Sequence, residues 1–423
     1  MRFLPPVSLP LTRPSAPPRV GRPWIRVFLG AMMAGFSATS VAAAPLQLEG
    51  ACTAEALAVA SGGLKTGAAC RGLAEVALVG SGSAPWSDGT LAFRASGLAP
   101  LGGDLSGTRL GDLQGASNLA AYNHPLLYEL WVAGTFADDR FGVRAGRLLA
   151  DSDFATTGGS VFLNSSFGWP AFISANTRNT GPAFDRSALG LFGKLTLRPG
   201  VHLQAGLYDG DTFDDAGGDP ARHPNGLHCE LGHGQGVFAI AELGLAFGHD
   251  PVDSDRPLKI KFGAWLHTAD FADRGDSTRL HTGNLGVYFV AERMIWRKPG
   301  AGPQGDQGVV FFARTGFAPG DRNLFSGTAD TGLSCTGLLP GREADTFGLG
   351  LAWAGIGRQT RQAERAANAA VVSDYELAFE AAYDAAINDR WHVIPDLQWI
   401  AHPGGSRALP AALVVGLRTR LAF

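Results

Sequence analysis

Every second residue is apolar in one stretch of this 423-residue chain after another, and the residues between are polar or small. In LVVGLRTRLAF (413–423), Leu413, Val415, Leu417, Thr419, Leu421 and Phe423 fall on one face, and Val414, Gly416, Arg418, Arg420 and Ala422 on the other. LGLFGKLTL (189–197) sets four leucines against Lys194 and Thr196, and VHLQAGLYD (201–209) sets Val201, Leu203 and Leu207 against His202, Gln204 and Tyr208. The same split recurs in LKIKFGAWLH (258–267) and YELAFEAAYDAA (375–386), whose polar faces carry Lys259, Lys261, Trp265 and His267, and Glu376, Glu380 and Asp384. A period of two is a strand period.

Two readings fit such strands. A soluble sandwich turns its apolar face inward, whereas a transmembrane barrel turns it to lipid and lines a lumen with the polar one. Long charged side chains on strand after strand favour the barrel, and so do the connections. INDR (387–390), LLPGRE (338–343), RPG (198–200) and ADD (137–139) are short, whereas 150–186, 209–235 and 355–373 are long. Short turns at one end and long loops at the other are the pattern of outer-membrane barrels, where every backbone group in lipid must be bonded and the sheet must close. Strand centres near 54, 72, 93, 130, 144, 193, 204, 242, 262, 290, 312, 329, 350, 380, 396 and 418 give an all-β, antiparallel barrel of about 16 strands, wide enough for an aqueous pore.

The start of the chain agrees with export. Residues 1–43 hold five arginines and no acids, with VFLGAMMAGF running into SVAAAP, so a signal peptide over 1–43 and a barrel over 44–423 are expected, with the start codon open to placement further in. The apolar stretch is too short for a comfortable membrane helix. Losing those arginines takes the formal charge from −3 to −8 (−3 − 5), which argues against nucleic acid as a partner. With 58 glycines, only 17% charged residues and no linker, one continuous strand-and-turn architecture in the outer membrane is the expectation.

SGGLKTG (61–67), RLGDLQGASN (109–118), LYELWV (127–132), SVFLNSSFGWPAFIS (160–174), GLYDGD (206–211), FFARTGFAPGDRN (311–323), GLLPGREADTFGLGLAWA (337–354) and PDLQWIAHPGG (395–405) together resemble the carbohydrate-selective porins of Gram-negative outer membranes. The resemblance spans 46–423 and implies a sixteen-stranded channel for passive passage of monosaccharides such as glucose, with no cofactor and no catalysis. A helical, Trp-rich segment between signal and first strand, expected of some relatives, is missing. The expected partners are small sugars, outer-membrane lipid and lipopolysaccharide, and a homotrimer as porins often form. A general diffusion porin without sugar preference is the alternative. A barrel enzyme or an adhesin is the other class, but no G-x-S-x-G or comparable nucleophile signature supports an enzyme.

Strand parity places Glu129, Trp131, Arg140, Arg144, Lys194, Lys259, Lys261, Trp265, Glu292, Arg314, Glu380, Asp396, Gln398 and Arg418 on the lumen face, in both signs of charge. The long segment 150–186, with Asn164, Ser165, Ser166, Trp169, Asn176 and Arg178, is the expected constriction loop. In 222–236, His223, His228, Cys229 and His233 do not have H-E-x-x-H spacing, so a solvated loop rather than a metal site is expected. Cys52 and Cys70 pair only if their hairpin centres near residue 61.

Overall fold

The computed structural model describes residues 46–84, 89–215, 218–232, 234–248, 256–301 and 307–423. The expected signal peptide and His233 lie outside them. Sixteen antiparallel strands close into a barrel in which each pairs with its chain neighbours and the last with the first. They are β1 (Gln47–Ser61), β2 (Gly67–Ser83), β3 (Thr90–Gly102), β4 (Leu126–Phe136), β5 (Phe141–Leu148), β6 (Ala188–Arg198), β7 (Val201–Asp209) and β8 (Val237–Phe247), then β9 (Leu258–Ala272), β10 (Leu280–Arg297), β11 (Gly308–Phe317), β12 (Phe325–Thr336), β13 (Thr346–Ile356), β14 (Tyr375–Asn388), β15 (Trp391–Ala401) and β16 (Ala412–Ala422). Each of the sixteen expected centres falls inside one of them.

Burial decides the direction of the two faces. Leu207 is 54% exposed, Leu417 52% and Phe262 50% on the outside, while Glu55, Glu242, Arg314, Glu376, Glu380 and Gln398 are buried inside. Apolar outside and polar inside is the inverse of a soluble fold and fits a wall in lipid. Outward aromatics mark both margins: Phe141, Phe247, Trp296, Phe347, Trp391 and Phe423 at the end bearing the chain termini, Phe317, Trp353 and Trp399 at the other. No helix among the described residues is long and apolar enough to cross a membrane.

The seam joins Ala51 to Ala422 through Ser61 to Leu413. Beyond it, the Phe423 N–H donates to the Gly50 carbonyl (2.9 Å) and the Gly50 N–H to the Phe423 carbonyl (3.0 Å). The Phe423 ring lies across Gly50, where a methyl group would overlap it. The β1–β2 hairpin pairs Val59 with Gly67 and Ala56 with Cys70, so it centres near residue 63 and leaves Cys52 about 13 Å along the strand from Cys70's partner position. Both are free thiols, as are Cys229 and Cys335.

At the terminal end the strands are joined by turns such as 137–140, 199–200 and 389–390. At the opposite end lie loops 103–125, 149–187, 210–236, 357–374 and 402–411. Two of these, 103–125 and 149–187, turn back into the barrel.

Candidate functional site: a loop-narrowed lumen

Loop 149–187 is held in two ways. On one side it is dry: Phe154, Phe172 and Ile173 pack on Phe192, Tyr208, Phe238, Trp265 and Tyr288 from the inner faces of β6–β10, with the Phe172 and Tyr288 rings 5.6 Å apart. On the other, buried charges seize its backbone. The Arg314 guanidinium donates to Asp330 (2.9 Å) and to the carbonyls of Ala155 (2.7 Å), Gly168 (2.9 Å) and Ser166 (2.5 Å). Glu242 accepts the Ala155 N–H (2.8 Å) and the Tyr288 hydroxyl (2.8 Å). Glu380 accepts the N–H groups of Leu163 and Asn164, and Gln398 accepts the Asn164 amide (3.2 Å) while donating to Asp396 (2.9 Å) and the Ala116 carbonyl (2.9 Å).

Loop 103–125 is pinned by the same chemistry. Glu376 accepts the N–H groups of Leu113 (2.9 Å), Gln114 (2.8 Å) and Gly404 (2.8 Å), and Glu55 accepts the Ser117 hydroxyl (2.6 Å) and the Arg418 Nε–H (2.8 Å). Carboxylates suit this task because each accepts several backbone donors that would otherwise be buried unpaired.

This changes the roles of several residues expected to line water. Trp265, Arg314, Glu380, Asp396, Gln398 and Arg418 point inward but are buried, because the returning loops cover them. Asn164 and Asn176 in the loop are likewise buried, Asn176 donating to the Phe325 carbonyl (2.8 Å). Arg140 lies in the exposed turn 137–140 rather than on β5. Arg178 reaches the Gly234 carbonyl (2.7 Å).

Other expected residues stay near open lumen, joined there by Arg94, Glu49 and Glu75, which the sequence does not single out. Arg94 meets Glu49 (3.1 Å), Glu75 (2.7 Å) and Glu129 (3.0 Å), and Glu129 accepts the Trp131 Nε1–H (2.9 Å). Arg144 lies between Trp131 (5.3 Å to the ring centroid) and Phe192 (4.9 Å) and pairs with Asp153. Lys259 pairs with Glu292 (2.9 Å), Lys261 donates to the Thr156 carbonyl (2.9 Å), and Lys194 is exposed.

Between the two inward loops remains a cavity of about 680 Å³ whose wall includes Arg71, Tyr122, Asp151, Trp169, Asp185, Arg186 and Phe213. Trp169 is fixed there by donating to the Thr180 carbonyl (2.8 Å). The Tyr122 and Phe213 rings meet edge to face at 5.6 Å, and the Arg186 guanidinium carbon lies 5.8 Å from the first and 5.6 Å from the second. Arg186 Nη1 donates to the Pro224 carbonyl (3.0 Å), whereas its Nε and Nη2 have no hydrogen-bond partner among the described residues although the residue is 3% exposed. Asp185 stands 3.8 Å from Arg186 Nε and accepts the Tyr122 N–H (3.2 Å). Burial raises the Asp185 carboxyl and lowers the Arg186 guanidinium from their ordinary ranges, and it pushes Asp151 up to about 6.

Sequence reading misses Arg71, Tyr122, Asp151, Asp185, Arg186 and Phe213. The only signal was adjacency of aromatic and charged residues inside long loops, as in AFDRS (183–187). Among the described residues no three His, Cys, Asp or Glu groups are placed to hold a metal ion.

A model of the carbohydrate-selective porin, OprB family, matches residues 89–423. Among solved structures, the high-pH structure of Pseudomonas putida OprB superposes with a TM-score of 0.77 at 18% identity, over 89% of this chain and 94% of that one. Its low-pH structure gives 0.51 at 15% identity, over 89% and 92%. Salmonella typhi OmpF in complex with daunomycin gives 0.55 at 9% identity, over 90% and 98%. No curated protein matches.

Proposed function

Because the chain belongs to the carbohydrate-selective porin family, and so is an outer-membrane diffusion channel for sugars, we propose that monosaccharides cross its narrowest point in the cavity between loops 103–125 and 149–187. Arg186 carries this reading. The exposed Tyr122 ring offers an apolar surface to a pyranose face, and behind it lies a buried guanidinium, beside a carboxylate, whose two unbonded nitrogens ring hydroxyls would reach once the side chain shifts. Its bonds are few enough to release what they hold, as conduction requires. In barrels of this kind the short-turn end faces the periplasm, so sugars enter past the loops and leave beside Arg94. Export on the 1–43 signal belongs to the same proposal.

Liposome swelling with arabinose, glucose, sucrose, maltotriose and gluconate tests it. Arabinose and glucose should pass well ahead of the disaccharide, and Arg186→Gln should weaken glucose block of single-channel current roughly tenfold, the loss of about one charge-assisted bond. Equal rates for glucose and sucrose would point to a general pore. Unchanged glucose block in the variant would remove Arg186 from the path.

A further inference from the structure

Glu376 stands at the outer end of β14 and is fully buried. Its carboxylate takes amides from two loops, Leu113 and Gln114 of 103–125 and Gly404 of 402–411, and so ties both to the wall. Asp112 directly precedes Leu113, and its charge acts on Glu376. Both Asp112 oxygens are shut off from solvent and have no hydrogen-bond partner among the described residues. The bases of the elements packed around the pair are engaged elsewhere or face water. Arg109 donates to the Ala68 (3.1 Å) and Thr66 (3.3 Å) carbonyls, Arg361 faces Asp374 (3.6 Å), and the His402 ring lies 4.5 Å from that of Tyr375. Lys65, His124, Arg358, Arg365 and Arg407 are exposed. The remaining charges there are acids: Asp104, and Glu364, which is bonded to Ser373. Two carboxyls are thus enclosed together with no cation beside them.

Like charges in a site that water does not reach repel strongly, and a proton held between them removes the cost. We propose that Asp112 and Glu376 share one proton as a latch, and that its loss unfastens loop 103–125 from β14. Burial, reinforced by Asp104, pushes the Asp112 carboxyl up to about 6 against the pull of the Ser106 hydroxyl and of the Asp112 and Gly115 N–H groups. A raised carboxyl steadies the closed loop most below the ordinary carboxylate range, and that hold is lost as pH rises through about 6. The segment it frees is tied to the aperture. The Ser166 hydroxyl donates to the Gln114 side-chain carbonyl (2.8 Å), the Ser165 N–H donates to the Gly115 carbonyl (2.9 Å), and Asn118 and Tyr122 belong to the cavity wall. Widening of the pore on release rests on the reading of that cavity as the narrowest point, whereas the latch itself does not.

Amide hydrogen exchange on the full-length barrel in detergent, corrected for the intrinsic pH dependence of exchange, tests the latch directly. In the wild-type protein, protection of Leu113 and Gln114 should fall at least tenfold between pH 5 and pH 8 while strand amides hold theirs. Asp112→Asn keeps the Glu376 carboxylate for the amides and removes the second titrating group, so its protection should stay high at both values. Heat-modifiable mobility is the folding control. If that variant does not fold, Glu376→Gln, which keeps an oxygen acceptor but carries no charge, is read in the same way and should be equally flat. Constant protection in the wild-type protein overturns the proposal, and so does an undiminished fall in the folded variant. Unit conductance recorded in parallel separates the two readings: amide release with a rise in conductance supports both, and release at constant conductance supports the latch while counting against the cavity as the narrowest point.

Discussion

Asp151 shows how a single carboxyl can set the charge of the aperture. Its Oδ2 accepts the Phe184 N–H (2.9 Å), its Oδ1 has no partner among the described residues, and burial pushes its pKa up to about 6. The group is neutral below that value and adds a negative charge above it, to a wall that also holds Arg71, Arg186, Asp104 and Asp185. Reversal potentials in a salt gradient should therefore move toward cations between about pH 5 and pH 7, and Asp151→Asn should flatten that response. A full shift persisting in the variant would assign it to another group. The stability sign follows the same direction: the raised carboxyl favours folding most below the ordinary carboxylate range, and that advantage is lost as pH rises through about 6. None of this was legible from residue order. Arg186 meets Tyr122 from 64 positions away and Phe213 from 27, and only the folded loops bring them together.

Strands were legible because alternation is a local property, and each strand's two faces follow from its own residues. What stood opposite those faces was not. Arg314 on β11 meets loop carbonyls 146 to 159 residues away, and Glu380 on β14 meets amides more than 200 away. A polar inward side chain looks the same in sequence whether water or a returning loop covers it. Two predictions belong to this level. Arg314→Gln leaves Asp330 buried without its cation and three loop carbonyls unpaired, which should cost about 3–5 kcal/mol. A lower urea midpoint and noisier single-channel current should follow, and a quiet, equally stable channel would show that the aromatic packing alone seats the loop. Arg144→Glu would set a second carboxylate against Asp153 and remove the cation between Trp131 and Phe192. It should turn ion preference toward cations and also loosen loop 149–187, visible as faster protease nicking there. Changed selectivity with unchanged nicking would mean that the Arg144 contacts do not hold the loop.

Across the whole molecule, closure makes the strand order a circle. Phe423 bonds Gly50, and all sixteen pairings are between neighbours on that circle. A permutant that joins Phe423 to Leu46 through a short Gly-rich linker and opens in loop 273–279 keeps every one of them. Refolded in detergent, it should give the same heat-modifiable band and unit conductance, whereas a chain that never closes would show that order of synthesis matters to the circle. The returning loops add something a plain tube lacks. Side chains from β1, β5, β7, β8, β9, β11, β14 and β15 reach in to hold them, through Glu55, Arg144, Gln204, Glu242, Lys261, Arg314, Glu380 and Gln398. In mechanical terms the loops are a hub and these residues are its spokes, so a stress in the bilayer that ovalises the rim is carried to the aperture instead of being absorbed in the wall.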